Sequence, residues 1–213
     1  MTCAALVLAA GSGTRFGGHK LLANLDGRPL LQHVLDTLAA TVLAPVVVVV
    51  GDDADRLRRE LSWRDERVVI NPLPARGLAS SVQLGMVAIA QSRPPPRRVL
   101  LLLGDQPRLS AEQIASLLTQ PVDSSRPIIV PRYEDGQPGN PVLLERAGWP
   151  ILASLTGDRG LSQLFAAAPQ PLRYVDLPGT NPDVDTPHDL ERLTRDAGPA
   201  RSCRTVGEDR SRP

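Results

Sequence analysis

Several things are scarce in this 213-residue sequence, and each scarcity excludes something. Cysteine occurs twice, as Cys3 and Cys203 near opposite ends. That spacing gives no cysteine metal cluster and no evident structural disulfide, so a reducing cytoplasm is the expected compartment. Aromatic residues make up 3%, too few for a base-stacking platform. Charge of one sign is not in excess, with 24 Lys+Arg against 23 Asp+Glu. A nucleic-acid binder should carry a basic stripe, so none is expected as a partner. No apolar run approaches the ~18 residues of a membrane span, and no membrane partner is expected. The short apolar stretch near the N-terminus lacks a preceding basic region and a following cleavage site, unlike a signal peptide. Lysine is scarcest of all: of the 24 basic residues, Lys20 is the single lysine. A codon bias toward arginine accounts for the rest. A compact, rotatable ammonium is what a planar guanidinium cannot replace at a tight phosphate site.

What is present alternates between strand and helix. Ala4 to Ala9 is an apolar run that ends in a Gly-rich loop from Gly11 to Gly18. Pro29 opens a helical pattern carried by Leu30, Leu31, Val34, Leu35 and Leu38. The valines Val46 to Val50 read as a strand buried on both faces of a parallel sheet. Asp52 to Leu61 reads as a charged helix, Arg67 to Ile70 as a strand, Leu78 to Ala90 as a helix and Val99 to Leu103 as another buried strand. Ser110 caps a helix through Leu118, with Glu112 and Gln113 in its first turn. Ile128 to Val130 is a strand, and Gly136 to Pro141 is a turn into Val142 to Leu144. Leu161 to Ala167 reads as a short helix, Leu172 to Val175 as a strand, and Thr186 to Arg195 as a final helix. The pattern predicts a three-layer α/β fold with a mostly parallel sheet flanked by helices and a small antiparallel edge. Residues 1–196 are expected to form one domain, and 197–213, rich in Arg, Ser, Gly and Pro, a disordered tail.

The chemistry concentrates in Leu8-Ala9-Ala10-Gly11-Ser12-Gly13-Thr14-Arg15-Phe16-Gly17-Gly18-His19-Lys20. Glycines let backbone N–H groups turn toward an anion, and Arg15 and Lys20 add a fork and a point charge. This reads as a triphosphate cradle. It is not the dinucleotide fingerprint, whose third glycine is replaced by Phe16. Nor is it a Walker A loop, because His19 precedes Lys20 and Leu21 follows it.

The loop resembles the signature of the MobA-like nucleotidyltransferase family and is most similar to its molybdenum cofactor cytidylyltransferase branch. Asn71-Pro72 with Gly77-Leu78-Ala79-Ser80-Ser81, Leu103-Gly104-Asp105-Gln106-Pro107, Gly139-Asn140-Pro141, Gly157-Asp158-Arg159-Gly160 and Asp183-Val184-Asp185-Thr186-Pro187 follow in the family's order, over roughly Leu6 to Leu193. The resemblance implies a Rossmann-like nucleotidyltransferase fold of the GT-A type. It implies nucleotide-binding roles for Ala9, Ala10, Gly11, Ser12, Gly13, Arg15, Lys20, Asn71, Gly77, Ser80 and Ser81, and acceptor-binding roles for Asn140 and Asp158.

Asp105 follows a buried strand, and a carboxylate there lies at the crevice where open α/β sheets bind ligands. Its hard oxygens suit Mg²⁺, although an Asp before Pro107 can also cap a turn. Asp183 and Asp185 lie two apart in an extended stretch and should face opposite sides. The resemblance implies Asp185 as the second metal ligand with Asp183 as fallback; either can instead cap the following helix. Ser80 and Ser81 can equally be helix caps, and Asn140 a turn residue.

The resemblance, joined to these readings, implies CMP transfer from CTP to the phosphate of molybdenum cofactor with release of pyrophosphate. Arg15, Lys20 and Asp105 are the catalytic candidates. A phosphate monoester is already anionic, so no strong base is needed. The resemblance allows a molybdoenzyme or its chaperone as a protein partner, and the chain is expected to be monomeric. Guanylyl transfer, or transfer to a sugar or polyol phosphate, uses the same machinery. Ala10 and the Gly-Asp-Gln-Pro form lean toward cytidylyl. A non-enzymatic cofactor carrier would not need the full cation and carboxylate set, and a flavin or NAD reductase would need the missing fingerprint.

Overall fold

The computed structural model describes residues 2–157 and 172–196. The helix expected at Leu161 to Ala167, Asp158 and the tail after Ala197 lie outside the described residues. One seven-stranded sheet organises the molecule. Its strands are β1 (Cys3–Ala9), β4 (Val46–Val50), β5 (Arg67–Ile70), β6 (Arg98–Leu103), β7 (Ile128–Arg132), β8 (Val142–Glu145) and β9 (Leu172–Asp176), in the order β5-β4-β1-β6-β8-β7-β9. Strand β8 runs antiparallel to β6 and β7, and the remaining pairings are parallel. A two-stranded ribbon, β2 (Asn24–Leu25) and β3 (Arg28–Pro29), stands apart from it. The ribbon has no sequence signal beyond Asp26-Gly27 at its turn, both at positive φ.

The long apolar runs are explained by burial on both faces. Ala5, Val7, Val48, Val50, Leu100 and Leu102 point into one core layer, under α1 (Leu30–Ala39), α2 (Ala54–Glu60) and α4 (Ala111–Leu118). Leu6, Leu8, Val47, Val49, Val99 and Leu101 point into the other, under α3 (Leu78–Ala90) and the short α5 (Trp149–Ala153). Alternate residues of one strand thus feed opposite layers, and neither face is free for a polar residue. Helix α3 lies so close to the sheet that a Cβ at Gly85 would run into Leu6. The Ser110 cap forms a full capping box with Gln113.

A third, small core joins the ribbon to the C-terminal helix α6 (Pro187–Asp196): Leu25, Leu30, Val184 and Leu193, with Phe16 packed against them. This cluster fastens the loop that carries Arg15 and the segment that carries Asp185 to one apolar body.

Candidate active site at the sheet switch point

Strand β1 has β4 on one side and β6 on the other, so the chain winds outward in both directions from the β1–β6 pair. Leu8 is in register with Leu103, and the loops leaving β1 and β6 open side by side. The crevice above such a reversal is where doubly wound sheets bind ligands.

The loop from Gly11 to Lys20 is held in a tight curl. The amides of Phe16 and Gly18 donate to the Gly13 carbonyl at 2.9 and 3.1 Å, and Gly17 donates to Thr14. Gly13 sits in the left-handed region at φ 60°, and a Cβ there would press on Lys20 Cβ at 3.1 Å. The curl therefore needs glycine at this position twice over, for its φ and for its proximity to Lys20. His19, also left-handed, ties the loop to the start of α2 through Nδ1···Asp53 Oδ1 at 2.9 Å.

Lys20 Nζ donates to Asp105 Oδ2 at 2.6 Å and to Asp185 Oδ1 at 3.1 Å. The Lys20 and Asp105 side chains are 12% and 19% exposed, so this is a largely enclosed ion cluster. Burial by itself works to lower the Lys20 pKa; the charge and hydrogen bond of Asp105, helped by Asp185, outweigh it and the net direction is upward. Arg15 reaches Asp185 Oδ2 at 3.1 Å from the solvent side, with its own side chain 75% exposed. The backbone brings the two carboxylates together: Val184 N–H donates to the Asp105 carbonyl at 3.1 Å.

The structure resolves two capping questions. Helix α6 is capped by Thr186 and Asp189, which exchange hydrogen bonds, and Asp189 also accepts from the Asp185 amide. Asp185 is not the cap, and its side chain faces Lys20. Asp105 likewise turns to Lys20 rather than capping the turn before Pro107. The alternation expected of Asp183 and Asp185 is observed, with Val184 buried between them. Asp183 accepts from Gln106 Nε2 at 2.7 Å on the other side. Surrounding protein and the charge of Asp105 push its pKa up to about 6.

Asn71, Ser80 and Ser81 are brought together, but they serve one another. Asn71 Nδ2 donates to Ser80 Oγ at 2.8 Å and Ser81 Oγ at 2.9 Å, and the Leu73 amide donates to Asn71 Oδ1. Ser80 Oγ in turn donates to the Gly77 carbonyl. This network fixes the mouth of α3 beside the β1 loop; the ends of β4 and β1 meet there so closely that Gly51 lies against the Ala10 carbonyl.

Two clefts flank the 183–185 segment, one reaching Asp185 and the other Asp183. The first, about 620 Å³, is lined by Gly11, Ser12, Gly13, Arg15, Lys20 and Asp185, with Asp52 and Pro74 opposite. The second, about 710 Å³, is lined by Gln106, Tyr133, Asn140, Asn181, Asp183 and Arg192 among others. Its wall is a belt of mutual hydrogen bonds. Tyr133 Oη and Asn181 Nδ2 both donate to the Asn140 carbonyl, and Asn181 Nδ2 also donates to Gln106 Oε1. Sequence reading placed Asn140 here but missed Tyr133, Asn181 and Asp52. Gln106, next to Asp105 in the same motif, was the one signal available.

The donor set can accept a divalent cation. Among the described residues the buried Asp105 Oδ1 has no hydrogen-bond partner, and the Asp105 and Asp185 carboxylates converge on one positive charge. No group of three or more His, Cys, Asp or Glu residues arranged to hold a metal occurs among the described residues. Two carboxylates are nevertheless what Mg²⁺ takes when phosphate oxygens and water complete its shell.

A cation-lined glycine loop, a carboxylate pair and two adjoining clefts at the switch point of a parallel sheet define an α/β enzyme that handles phosphorylated ligands. Residues 5–172 match the MobA-like NTP transferase domain, and the chain belongs to that family of nucleotidyltransferases. It is 31% identical over 140 residues to a probable molybdenum cofactor guanylyltransferase of Pyrococcus horikoshii, covering 64% of this chain and 65% of that one. It is 30% identical over 200 residues to nicotine blue oxidoreductase of Paenarthrobacter nicotinovorans, covering 88% and 94%. Against the bifunctional protein GlmU of Brevibacillus brevis it is 38% identical over 122 residues, 54% of this chain, and spans about a quarter (24%) of that protein's length. The crystal structure of Rv0371c from Mycobacterium tuberculosis superimposes with a TM-score of 0.80 at 30% identity, covering 92% of this chain and 98% of that one. A complex of Rv0371c with manganese superimposes at 0.76 with 27% identity, covering 92% and 98%. Among the described residues no helix is long and apolar enough to cross a membrane.

Proposed function

We propose that this protein transfers CMP from CTP to the phosphate of a molybdopterin-type molybdenum cofactor, releasing pyrophosphate. One observation carries the transferase part of the reading: one ligand-sized cleft is lined by Lys20 and Asp185, and a second is lined by Gln106 and Asp183, which lie one and two positions along the chain from Asp105 and Asp185. A carrier needs one binding site; a group transfer needs a donor and an acceptor held on either side of the reacting atoms.

In this reading the curl from Gly11 to Lys20 receives the triphosphate in the first cleft. Arg15 and Lys20 offset the charge that builds on the transferring group and on pyrophosphate. The acceptor lies in the second cleft, oriented by Asn140 and the belt that fixes it, and presents its phosphate oxygen in line with the α-phosphorus. Asp158, outside the described residues, is assigned to the acceptor by resemblance. Asp105 and Asp185 would hold Mg²⁺, which would supply Lewis acidity toward the phosphates. No side chain need remove a proton, because the attacking phosphate is already ionised. The manganese complex of a 27% identical structure supports a divalent metal in this fold.

Ala10 supports the cytidylyl choice by resemblance, because the guanylyl branch more often carries a second glycine before Gly11. The test is a panel of CTP, GTP, ATP and UTP with Mg²⁺ and purified molybdenum cofactor, following pyrophosphate. CTP is expected to lead. Pyrophosphate from GTP alone would move the assignment to guanylyl transfer, as named for the Pyrococcus relative. Tight CTP binding without pyrophosphate would favour a carrier. Redox turnover without pyrophosphate would favour the chemistry named for the Paenarthrobacter relative.

A further inference from the structure

At the opposite end of the sheet from the clefts lies a buried charge cluster that is one negative charge short. Arg98 begins β6 and Glu145 ends β8, and their side chains are 6% and 4% exposed. Glu145 Oε1 accepts from Arg98 Nη2 at 3.3 Å and from Arg173 Nη2 at 3.1 Å. Arg173 is itself only 12% exposed. Both Glu145 oxygens also accept from the Asp123 amide. One carboxylate therefore serves two buried guanidiniums. The nearest other acid, Asp123, is taken by Arg126 and by the Ser125 amide and hydroxyl. Arg98 also donates from Nη1 to the Leu118 carbonyl and from Nη2 to the Gln120 carbonyl, and among the described residues its buried Nε has no partner. Buried charge is ordinarily matched by opposite charge, and a buried donor without an acceptor costs free energy.

A cavity of about 400 Å³ opens on this cluster. Arg97, Arg98 and Arg146 line it together with Ser124 and Glu145. Among the described residues Arg97 has no acidic partner, and Arg146 has only the face of Trp149, 5.0 Å from the ring centroid. The Ser124 hydroxyl is likewise unengaged among the described residues. Three arginines and a serine border one cavity, together with Val122 and Ala147, and its single carboxylate is already spent; such a surplus of positive charge matches a polyvalent oxyanion.

We propose that this cavity is a second anion site, built for a small phosphate-bearing ligand of the size of phosphate or pyrophosphate. It stands apart from the nucleotide cleft: β6 begins at Arg98 and delivers Asp105 just past its far end, about 20 Å away at ~3.3 Å per residue. The inference does not depend on the transferase reading, since it uses none of its residues.

The test is calorimetric titration of the full chain with inorganic pyrophosphate, and separately with inorganic phosphate, without nucleotide. A Lys20→Ala background removes the main cation of the first cleft. In that background one pyrophosphate per chain is expected to bind. Adding Arg97→Ala and Arg146→Ala, both at exposed positions, is expected to weaken that binding at least tenfold. Arg97→Lys with Arg146→Lys should restore part of it. Melting curves of every variant confirm folding. Stronger binding of phosphate than of pyrophosphate would define the smaller ligand. No binding in the Lys20→Ala chain, or binding that ignores the Arg97 and Arg146 changes, would overturn the second site.

Discussion

At the scale of single residues, charge placement decides most of what the site can do. Lys20 holds two carboxylates that would otherwise repel each other, and it survives as the only lysine in a chain of arginines. Replacing it by alanine removes a preorganised cation worth 10²–10³ in rate in comparable electrostatic sites. The expected outcome is a kcat loss of about that size in the pyrophosphate assay, with an unchanged far-UV spectrum. His19 is a subtler case. It holds a left-handed conformation that costs an L-residue ~1–2 kcal/mol, and its bond to Asp53 works against that cost. His19→Ala should loosen the loop and raise KM for the nucleotide several-fold while kcat changes little; a kcat effect alone would contradict this role. Cys3 shows burial acting on chemistry. Desolvation pushes its thiol up to about 12 from an ordinary 9. The folded state thus retains a proton that the unfolded chain releases, so the stabilisation is complete below pH 9 and is lost as pH rises toward 12. In a Cys203→Ser background, Cys3 should resist iodoacetamide at pH 8 until denaturant is added.

At the scale of elements, hydrophobic period and turn chemistry made most of the fold readable. The five valines of β4 and the four leucines ending β6 could only be strands covered on both faces, and that is how they pack. Ser110 with Gln113 announced its helix by a local exchange of hydrogen bonds. The β2–β3 ribbon and α5 escaped because two- and five-residue elements have no period to read; tertiary packing creates them. The same limit applies to the site. Gly13, Arg15, Lys20 and Asp105 sit in motifs whose spacing carries meaning. Asp53, Tyr133 and Asn181 act through partners 34, 7 and 41 residues away, and no local pattern announces such a pairing. Helix α3 gives the sharpest test of packing against propensity. Glycine inside a helix costs ~1 kcal/mol relative to alanine, so propensity alone says Gly85→Ala should stabilise. A Cβ there meets Leu6 and comes within 3.0 Å of Val49 Cγ2, and overpacking costs ~1–3 kcal/mol. Packing should win: urea denaturation of Gly85→Ala is expected to show a lower midpoint, and Gly85→Val a lower one still.

At the scale of the whole molecule, the proposed function rests on two clefts that flank the 183–185 segment. The winding order of the sheet puts the β1 loop and Asp105 side by side, and the third small core brings Asp185 to them from the far end of the chain. The monomer expectation rested on finding no exposed apolar helix face, yet α3 is apolar nearly all round. Val87 is 57% exposed beside a groove lined by Met86, Trp149 and Leu152. The division into two clefts has a kinetic consequence that separates it from a single shared pocket. Arg15 lines only the first cleft and Asn140 only the second, so in the proposed reaction they would meet different ligands. Arg15→Ala should raise KM for the nucleoside triphosphate and lower kcat, leaving KM for the acceptor near its original value. Asn140→Ala should raise KM for the acceptor about tenfold, equivalent to ~1.4 kcal/mol, and leave the nucleotide term alone. With no shared partner between the two positions, the double variant should show the sum of the two free-energy changes within ~0.5 kcal/mol. Steady-state kinetics with each substrate varied in turn measures all four quantities. Both Michaelis constants moving together in either single variant would mean that one pocket holds both ligands, and the donor–acceptor geometry argued from these clefts would be wrong.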